Sequence, residues 1–294
     1  MERGRTAAGD AALIGVAAIW GITFPIVAEA IRPVGTAEFV QARFLLAALA
    51  VGAAAARRGG FRAVLPGVSI LPGLLLAAGF LLQTEGLRTV GPSASAFLTG
   101  TNVVFVPILA SLFTGERTTP RRWAAVAAAF CGIFLLQGLR LPDSWSRGET
   151  WTLLCALAFA GQIVALGRLA PGRDPLSMAS GQMISAAVVL TVLAMAETGA
   201  PLPLEAISRA APAILLTGLL ATAAAFFVQT WAQRRVPTTH VAICLSGETV
   251  FAAAFSVVFF GDALPVLGWC GAAAVALAIL LVTTERIPSS RGAH

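Results

Sequence analysis

A few polar side chains lie inside long apolar stretches of this chain, and their types and spacing suit the binding of a small solute. The pair Gln83-Thr84 returns 146 residues later as Gln229-Thr230. An amide offers donors and an acceptor, which suits both the carboxylate and the ammonium of a zwitterion. Polar groups inside a bilayer are costly and face a cavity or a partner helix. The sequence leaves both roles open for the two glutamines: lining a cavity, or bonding neighbouring helices.

A second polar group repeats at the same spacing. Asn102 corresponds to Glu248, and Thr101 and Ser246 lie close to them. An ionised carboxylate at mid-bilayer is expensive, so we expect Glu248 to be protonated, paired or hydrated. It would couple proton movement to transport, balance an ammonium, or hydrogen-bond backbone at a helix kink; the last is favoured over proton coupling.

Aromatic side chains in the same stretches are candidate cavity walls, because their faces accept a cation or stack on a planar group. Trp20 is favoured, since Gly21 and Pro25 disturb the helix around it and freed carbonyls face protein or a cavity. For each aromatic, ordinary helix packing is the competing interpretation. The predicted substrate-binding residues are Trp20, Phe24, Phe80, Gln83, Thr84, Phe97, Thr101, Asn102, Phe226, Gln229, Ser246 and Glu248.

Arg43 is a lone charge near the start of the second apolar stretch. Its side chain is expected to reach the lipid headgroups or to pair with Glu38, and binding a substrate carboxylate is the less favoured alternative.

The composition explains why such polar residues stand out. The 294 residues are 57% hydrophobic and 12% charged, whereas soluble domains carry about 25% charged residues. The surface therefore suits lipid. All 20 basic residues are arginines, most of them between apolar segments or at the ends of these segments, without the basic patch that nucleic-acid binding needs.

The motifs of cofactor, metal and catalytic sites are missing. The four cysteines form no CxxC pair, and the sequence has two histidines. We expect no metal, no cofactor and no enzymatic activity, since HExxH, nucleophile-elbow and nucleotide-binding motifs are absent.

Ten segments have the roughly 20 mainly apolar residues that a membrane-spanning helix needs. The first continues without an A-x-A site, so we expect no cleaved signal peptide. Arginines number 14 on the side of the N-terminus and 5 on the other, which favours cytoplasmic termini. The segments are about 10–29, 36–56, 66–88, 93–113, 121–139, 148–169, 176–196, 208–232, 238–260 and 264–284.

The offset of 146 residues pairs positions across the two halves, among them Gly115 with Gly261 and Trp123 with Trp269. Five spans per half make the second half inverted relative to the first, a plan that recurs in secondary transporters. We expect an all-α membrane protein of ten helices in two inverted five-helix repeats, residues 1–139 and 140–294. Small-residue runs assign the fifth and tenth helices to scaffold or dimer contacts.

Residues 20–49 contain a Trp-Gly, a proline-containing loop and an arginine in the second helix. Residues 98–136 contain a proline in the fourth helix, Gly-Glu at its end and a small-residue helix; residues 245–282 repeat this pattern with Gly261-Asp262. These stretches resemble the EamA family of the drug/metabolite transporter superfamily. Thr249 follows Glu248 where many members have Glu-Pro. The length and aromatic content are similar to YddG-type exporters of amino acids.

The resemblance implies a carrier in the bacterial inner membrane that exports amino acids or related small metabolites by alternating access, as a monomer or homodimer. A drug or nucleotide-sugar carrier is the alternative within the superfamily. A membrane-embedded enzyme and a passive channel are the alternatives of different class.

Overall fold

The computed structural model describes residues 2–59, 67–138, 145–199, 201, 204–261 and 263–285. Helices fill most of these ranges, and no strand occurs within them. In chain order they are α1 (Glu2–Ala30), α2 (Thr36–Gly59), α3 (Ile70–Leu87), α4 (Pro92–Thr114), α5 (Pro120–Leu136), α6 (Arg147–Leu169), α7 (Pro175–Thr198), α8 (Leu204–Gln233), α9 (Thr238–Phe259) and α10 (Val266–Thr283).

Within these ranges, nine helices are long and apolar enough to cross a membrane. The tenth, α5, has 17 residues, which reach about 25 Å at 1.5 Å per residue and lie at the short end of what spans a bilayer. The predicted all-α membrane fold is confirmed. The boundary between residues 139 and 140 lies outside the described residues and stays a prediction. Also outside the described residues are Asp262, Arg62, Arg140, Arg286 and Arg291, so what the sequence predicts for them stays a prediction too.

Local sequence signals set where several helices begin and end. Thr119 accepts a hydrogen bond from the backbone N–H of Arg122 at the start of α5. The Asp174 carboxylate accepts from the N–H of Ser177 at 2.7 Å at the start of α7. The repeated Gly115 and Gly261 follow α4 and α9 with φ of 70°, a left-handed conformation that glycine adopts without steric cost.

The helix contacts follow the repeat. α1 packs against α8 and α9, and its counterpart α6 packs against α3 and α4. α2 packs against α7, and α5 against α10. If each helix is replaced by its counterpart in the other half, the same set of contacts results. A pseudo-two-fold axis requires this.

Two glycines bring α5 and α10 into close contact. A Cβ atom on Gly271 would lie 2.5 Å from the carbonyl oxygen of Gly132, and one on Gly132 would lie 2.7 Å from the carbonyl oxygen of Gly271. Such distances leave no room for a larger residue, so the small residues let the two backbones meet.

The helices of the second half are less regular than those of the first. Residues Leu216–Ala224 of α8 form wide, π-helical turns, whereas the equivalent part of α3 is an ordinary α-helix. The π-helical segment Ser256–Phe260 begins inside α9 and extends one residue past its end. The helical path is interrupted at Thr101 in α4 and at Ser246 in α9.

Candidate substrate cavity

A cavity lies between α1, α2, α3, α4, α6, α8 and α9. The empty space between its wall atoms is about 670 Å³, counting the part open to solvent. Its wall is formed by Trp20, Thr23, Phe24, Val27, Arg43, Phe80, Gln83, Thr84, Leu87, Thr99, Asn102, Phe159, Gln162, Ile163, Phe226, Gln229, Leu245 and Glu248.

The structure places nine of the twelve predicted residues on this wall. Both halves of the chain contribute to this set, as the repeat leads one to expect. Their part in substrate binding remains a prediction. The nine are Trp20, Phe24, Phe80, Gln83, Thr84, Asn102, Phe226, Gln229 and Glu248.

The structure does not bring the other three predicted residues to this wall. Phe97 faces a separate pocket, with its ring 5.9 Å from that of Phe134. The hydroxyls of Thr101 and Ser246 donate at 2.6 Å to carbonyls three residues earlier in their own helices. They hydrogen-bond backbone carbonyls at the breaks in α4 and α9, as serine and threonine side chains inside helices commonly do.

Aromatic rings form one side of the wall. The ring centre of Phe80 lies 5.1 Å from that of Phe159 and 5.8 Å from that of Phe226, which in turn lies 5.1 Å from Trp20. The Trp20 indole donates to the carbonyl oxygen of Ala221 in the π-helical part of α8, at 2.8 Å. The cluster offers ring faces and edges to a planar or cationic group.

Gly21 allows α1 to approach α9 beside this cluster. A Cβ atom there would lie 2.6 Å from the carbonyl oxygen of Glu248. The glycine next to Trp20 therefore sets the contact between the helices that carry Trp20 and Glu248.

Arg43 belongs to the cavity wall, contrary to the two favoured interpretations. Its side chain is 4% exposed, which excludes a position among headgroups, and it forms no ion pair with Glu38. Its Nε donates to the Thr222 hydroxyl at 2.5 Å, and its guanidinium carbon lies 4.4 Å from the ring centre of Phe80. Among the described residues, no carboxylate lies within ion-pair distance of it.

Glu248 contributes the opposite charge to the same wall. It lies just after the break in α9 and is half-buried. Its carboxylate has no hydrogen-bond or ion-pair partner in the described part of the chain, and it forms no salt bridge with Arg43. The predicted backbone bond at a helix kink is therefore not made. One cation and one carboxylate face the same cavity, each without a protein partner of opposite charge.

The two repeated glutamines differ in their surroundings. Gln229 is buried and donates to Gln162 at 3.2 Å and to Gln233 at 3.0 Å. Gln162 donates in turn to Gln182 at 2.9 Å. Gln83 is half-buried, with one bond to the Thr99 hydroxyl at 3.2 Å. Gln229 thus joins helices as well as touching the cavity, and Gln83 has more amide surface left for a solute.

The cavity is sealed toward the end of the bundle that carries the N-terminus. Fully buried residues of one apolar cluster fill that end, among them Leu13, Val106 and Ile243. The wall residues of α1 and α3 extend instead to Val27 and Leu87, near the opposite ends of these helices. The cavity therefore reaches from mid-bundle toward the side away from the N-terminus.

The cavity wall also contains residues that were not among the predicted binding residues: Thr23, Val27, Arg43, Leu87, Thr99, Phe159, Gln162, Ile163 and Leu245. Gln162 and Thr99 carried a signal, as polar residues inside apolar spans. The apolar members carried none, because aliphatic and aromatic residues occur throughout these helices.

Residues 7–137 and 146–284 each match the model of the EamA-like transporter family. The chain belongs to this family. This EamA-like protein is therefore a multi-pass membrane protein of a transporter family, which favours a carrier over a membrane-embedded enzyme.

Two relatives of this EamA-like protein are themselves described as transporters. An uncharacterized transporter of Archaeoglobus fulgidus is 28% identical over 278 residues, covering 93% of this chain and 85% of the relative. A riboflavin transporter of Rhizobium johnstonii is 27% identical over 230 residues, covering 74% and 70%. One crystal structure matches with a TM-score of 0.74 at 16% identity, covering 92% of this chain and 95% of the other, and supports the fold.

Proposed function

We propose that this protein is a secondary carrier that exports amino acids, aromatic ones among them, across the bacterial inner membrane. The observation that carries the proposal is the pair of unmatched charges, Arg43 and Glu248, in one aromatic-walled cavity. The resemblance to YddG-type exporters points to the same class of substrate.

Arg43 is the anchor for the α-carboxylate. A buried charge is expensive unless it is paired, and Arg43 has one hydroxyl partner at Nε and no carboxylate. The planar guanidinium matches a carboxylate with two parallel hydrogen bonds. A bound carboxylate therefore supplies the counter-charge that the protein lacks.

Glu248 is the counter-charge for the ammonium. An amino acid that spans the two residues leaves no unpaired charge in the cavity, whereas an anion or a cation leaves one. The amide of Gln83 and the rings of Phe80 and Phe226 then contact the rest of the solute. The site is matched to a zwitterion with an apolar side chain.

Transport follows from the two halves exchanging conformations around this site. Helices α1–α4 and α6–α9 rock about the cavity, and α5 and α10 serve as a scaffold held by Gly132 and Gly271. With cytoplasmic termini, the sealed end faces the cytoplasm and the described conformation is outward-facing.

The deciding experiment measures uptake and counterflow in proteoliposomes, with and without a pH gradient. Phenylalanine is compared with phenethylamine, which lacks the carboxylate, and with 3-phenylpropionate, which lacks the ammonium. We expect saturable phenylalanine flux with counterflow, and weak competition by either analogue. Equal competition by an analogue contradicts the zwitterion site. Linear, non-saturating flux indicates a channel, and turnover of a lipid substrate without flux indicates an enzyme.

A flat heterocycle such as riboflavin is a second candidate substrate, favoured by the aromatic cluster and by the relative described as a riboflavin transporter. Riboflavin has no carboxylate for Arg43 to bind. If riboflavin is the substrate, its flux is saturable and insensitive to Arg43→Met, and phenylalanine does not compete.

A further inference from the structure

A second polar cluster lies outside the cavity wall, between α1 and α9. Asp10 comes from α1, and His240 and Cys244 come from consecutive turns of α9. The three side chains are 5%, 1% and 0% exposed, in that order.

Three buried polar atoms of this cluster have no hydrogen-bond partner among the described residues. Asp10 Oδ1 lies 3.2 Å from His240 Nε2, but Oδ1 and both ring nitrogens of His240 lack a hydrogen-bond partner among the described residues. Buried polar atoms are nearly always satisfied, and each exception needs an explanation. A bound cation would take Asp10 Oδ1 and one ring nitrogen of His240 as ligands.

We propose that Asp10, His240 and Cys244 bind a divalent transition-metal ion with the preferences of Zn²⁺. One ligand atom from each residue lies within 4.8 Å of the other two. Tetrahedral zinc places such ligands roughly 3.3–3.7 Å apart, so side-chain adjustments on the order of 1 Å close the site. Nitrogen and thiolate ligands favour Zn²⁺ over Mg²⁺ or Ca²⁺.

A polar network lies next to this cluster, at the end of the bundle that carries the N-terminus. Glu116 accepts hydrogen bonds from the backbone N–H groups of Thr238 and Thr239, at the start of α9. Arg122 is ion-paired with Glu285 at 2.9 Å and lies 3.9 Å from Glu116. Arg122 therefore joins the two carboxylates beside the cluster.

The position of the site gives the ion an effect on transport. α1 and α9 close the sealed end of the cavity, where Leu13 and Ile243 are buried. An ion shared by Asp10 of α1 and His240 of α9 links the two helices. We expect bound zinc to hold this end closed and to slow the carrier.

The binding test uses the purified full-length protein in detergent, stripped with a chelator, loaded with Zn²⁺ and desalted. Metal analysis is expected to find one zinc ion per chain, unaffected by excess Mg²⁺. The variants Asp10→Asn, His240→Gln and Cys244→Ser each remove one ligand. We expect affinity to fall by more than the roughly 10- to 100-fold that loss of an outer-shell partner costs. Cys131→Ser is the matched control, since Cys131 is exposed.

Cobalt gives a readout that does not depend on the variants folding. Co²⁺ bound by Cys244 produces a thiolate-to-cobalt charge-transfer band in the unaltered protein, and Zn²⁺ abolishes it by displacement. Absence of the band, or an equal band in Cys244→Ser, overturns the proposal. Both measurements need no substrate, so they stand or fall separately from amino-acid export.

Transport tests the linkage between the helices. Zn²⁺ is expected to lower initial flux at least tenfold in proteoliposomes of the unaltered protein and of Cys131→Ser, and to leave Cys244→Ser unaffected. Zinc bound without any reduction in flux contradicts the effect on transport.

Discussion

Replacing Arg43 by methionine separates substrate binding from structural support. A carboxylate held by two charge-assisted hydrogen bonds, each contributing about 1.5–3 kcal/mol, gains about 3–6 kcal/mol from Arg43. At about 1.4 kcal/mol per factor of ten, Arg43→Met weakens phenylalanine binding roughly 10²- to 10⁴-fold. A polarizable methionine still fills the space against Phe80.

Although Arg43→Met weakens substrate binding, its free energy of unfolding is expected to stay the same or to increase. Arg43 lacks an ion-pair partner, and replacing an unpaired buried charge by an apolar side chain is neutral or stabilising. Its acceptor Thr222 remains satisfied, because the Thr222 hydroxyl donates to the carbonyl oxygen of Thr217 at 2.8 Å. Melting temperature in detergent should therefore stay equal or rise while counterflow is lost.

Arg122→Met is the matched control. Arg122 is also buried but is ion-paired with Glu285 at 2.9 Å. Breaking a buried pair costs about 3–5 kcal/mol, because the remaining carboxylate is left without its partner. If Arg43→Met lowers the melting temperature as much as Arg122→Met does, or keeps normal phenylalanine affinity, the assignment of Arg43 as a substrate anchor is refuted.

Three further predictions concern the cavity and the scaffold. Glu248→Gln should weaken phenylalanine binding about ten- to a hundredfold and spare 3-phenylpropionate; equal losses for both would contradict its role as ammonium partner. Gln83→Ala should raise the KM of uptake with little change in melting temperature, whereas Gln229→Ala should lower stability by about 1–3 kcal/mol because its buried partners lose a donor. Gly132→Ala should lower the melting temperature through overpacking, whereas Gly15→Ala, with no atom near the added Cβ, should not.

The architecture was predictable because its determinants are local or periodic. Ten apolar runs, a fixed offset of 146 residues and the paired Gly115 and Gly261 are all visible in the sequence. What the sequence does not carry is the path of a helix within its span. The wide turns of Leu216–Ala224 have no residue signature that distinguishes them from the regular turns of α3.

The cavity was predictable as far as polar residues inside apolar spans mark it. Gln83, Asn102 and Glu248 were predicted on this basis, and all three lie on the cavity wall. Thr101 and Ser246 are also polar residues inside apolar spans, but their hydroxyls hydrogen-bond backbone carbonyls at the helix breaks. These breaks are not visible in the sequence.

Arg43 and the proposed metal site depend on tertiary contacts. Depth in the bundle, rather than distance from the end of a segment, decides whether an arginine reaches headgroups, and depth follows from packing. His240 and Cys244 are four residues apart on one helix, but Asp10 lies 230 positions earlier in the chain. The pair alone was therefore too weak a pattern to predict a metal.

The wide turns of α8 have a consequence for the resting carrier. If the two inverted halves had identical mechanical properties, the outward-facing and inward-facing forms would have equal free energies. Their populations would then be equal in the absence of solute. Within the described residues, π-helical turns occur only in the second half, and one of their carbonyls, that of Ala221, accepts a hydrogen bond from the Trp20 indole. In the proposed alternating-access carrier, this inequality between the halves makes the free energies of the two forms unequal, so the protein without solute favours one of them. A solute that enters from the side to which fewer molecules are open binds more weakly. Its apparent affinity falls in proportion to the fraction of molecules that are open to that side.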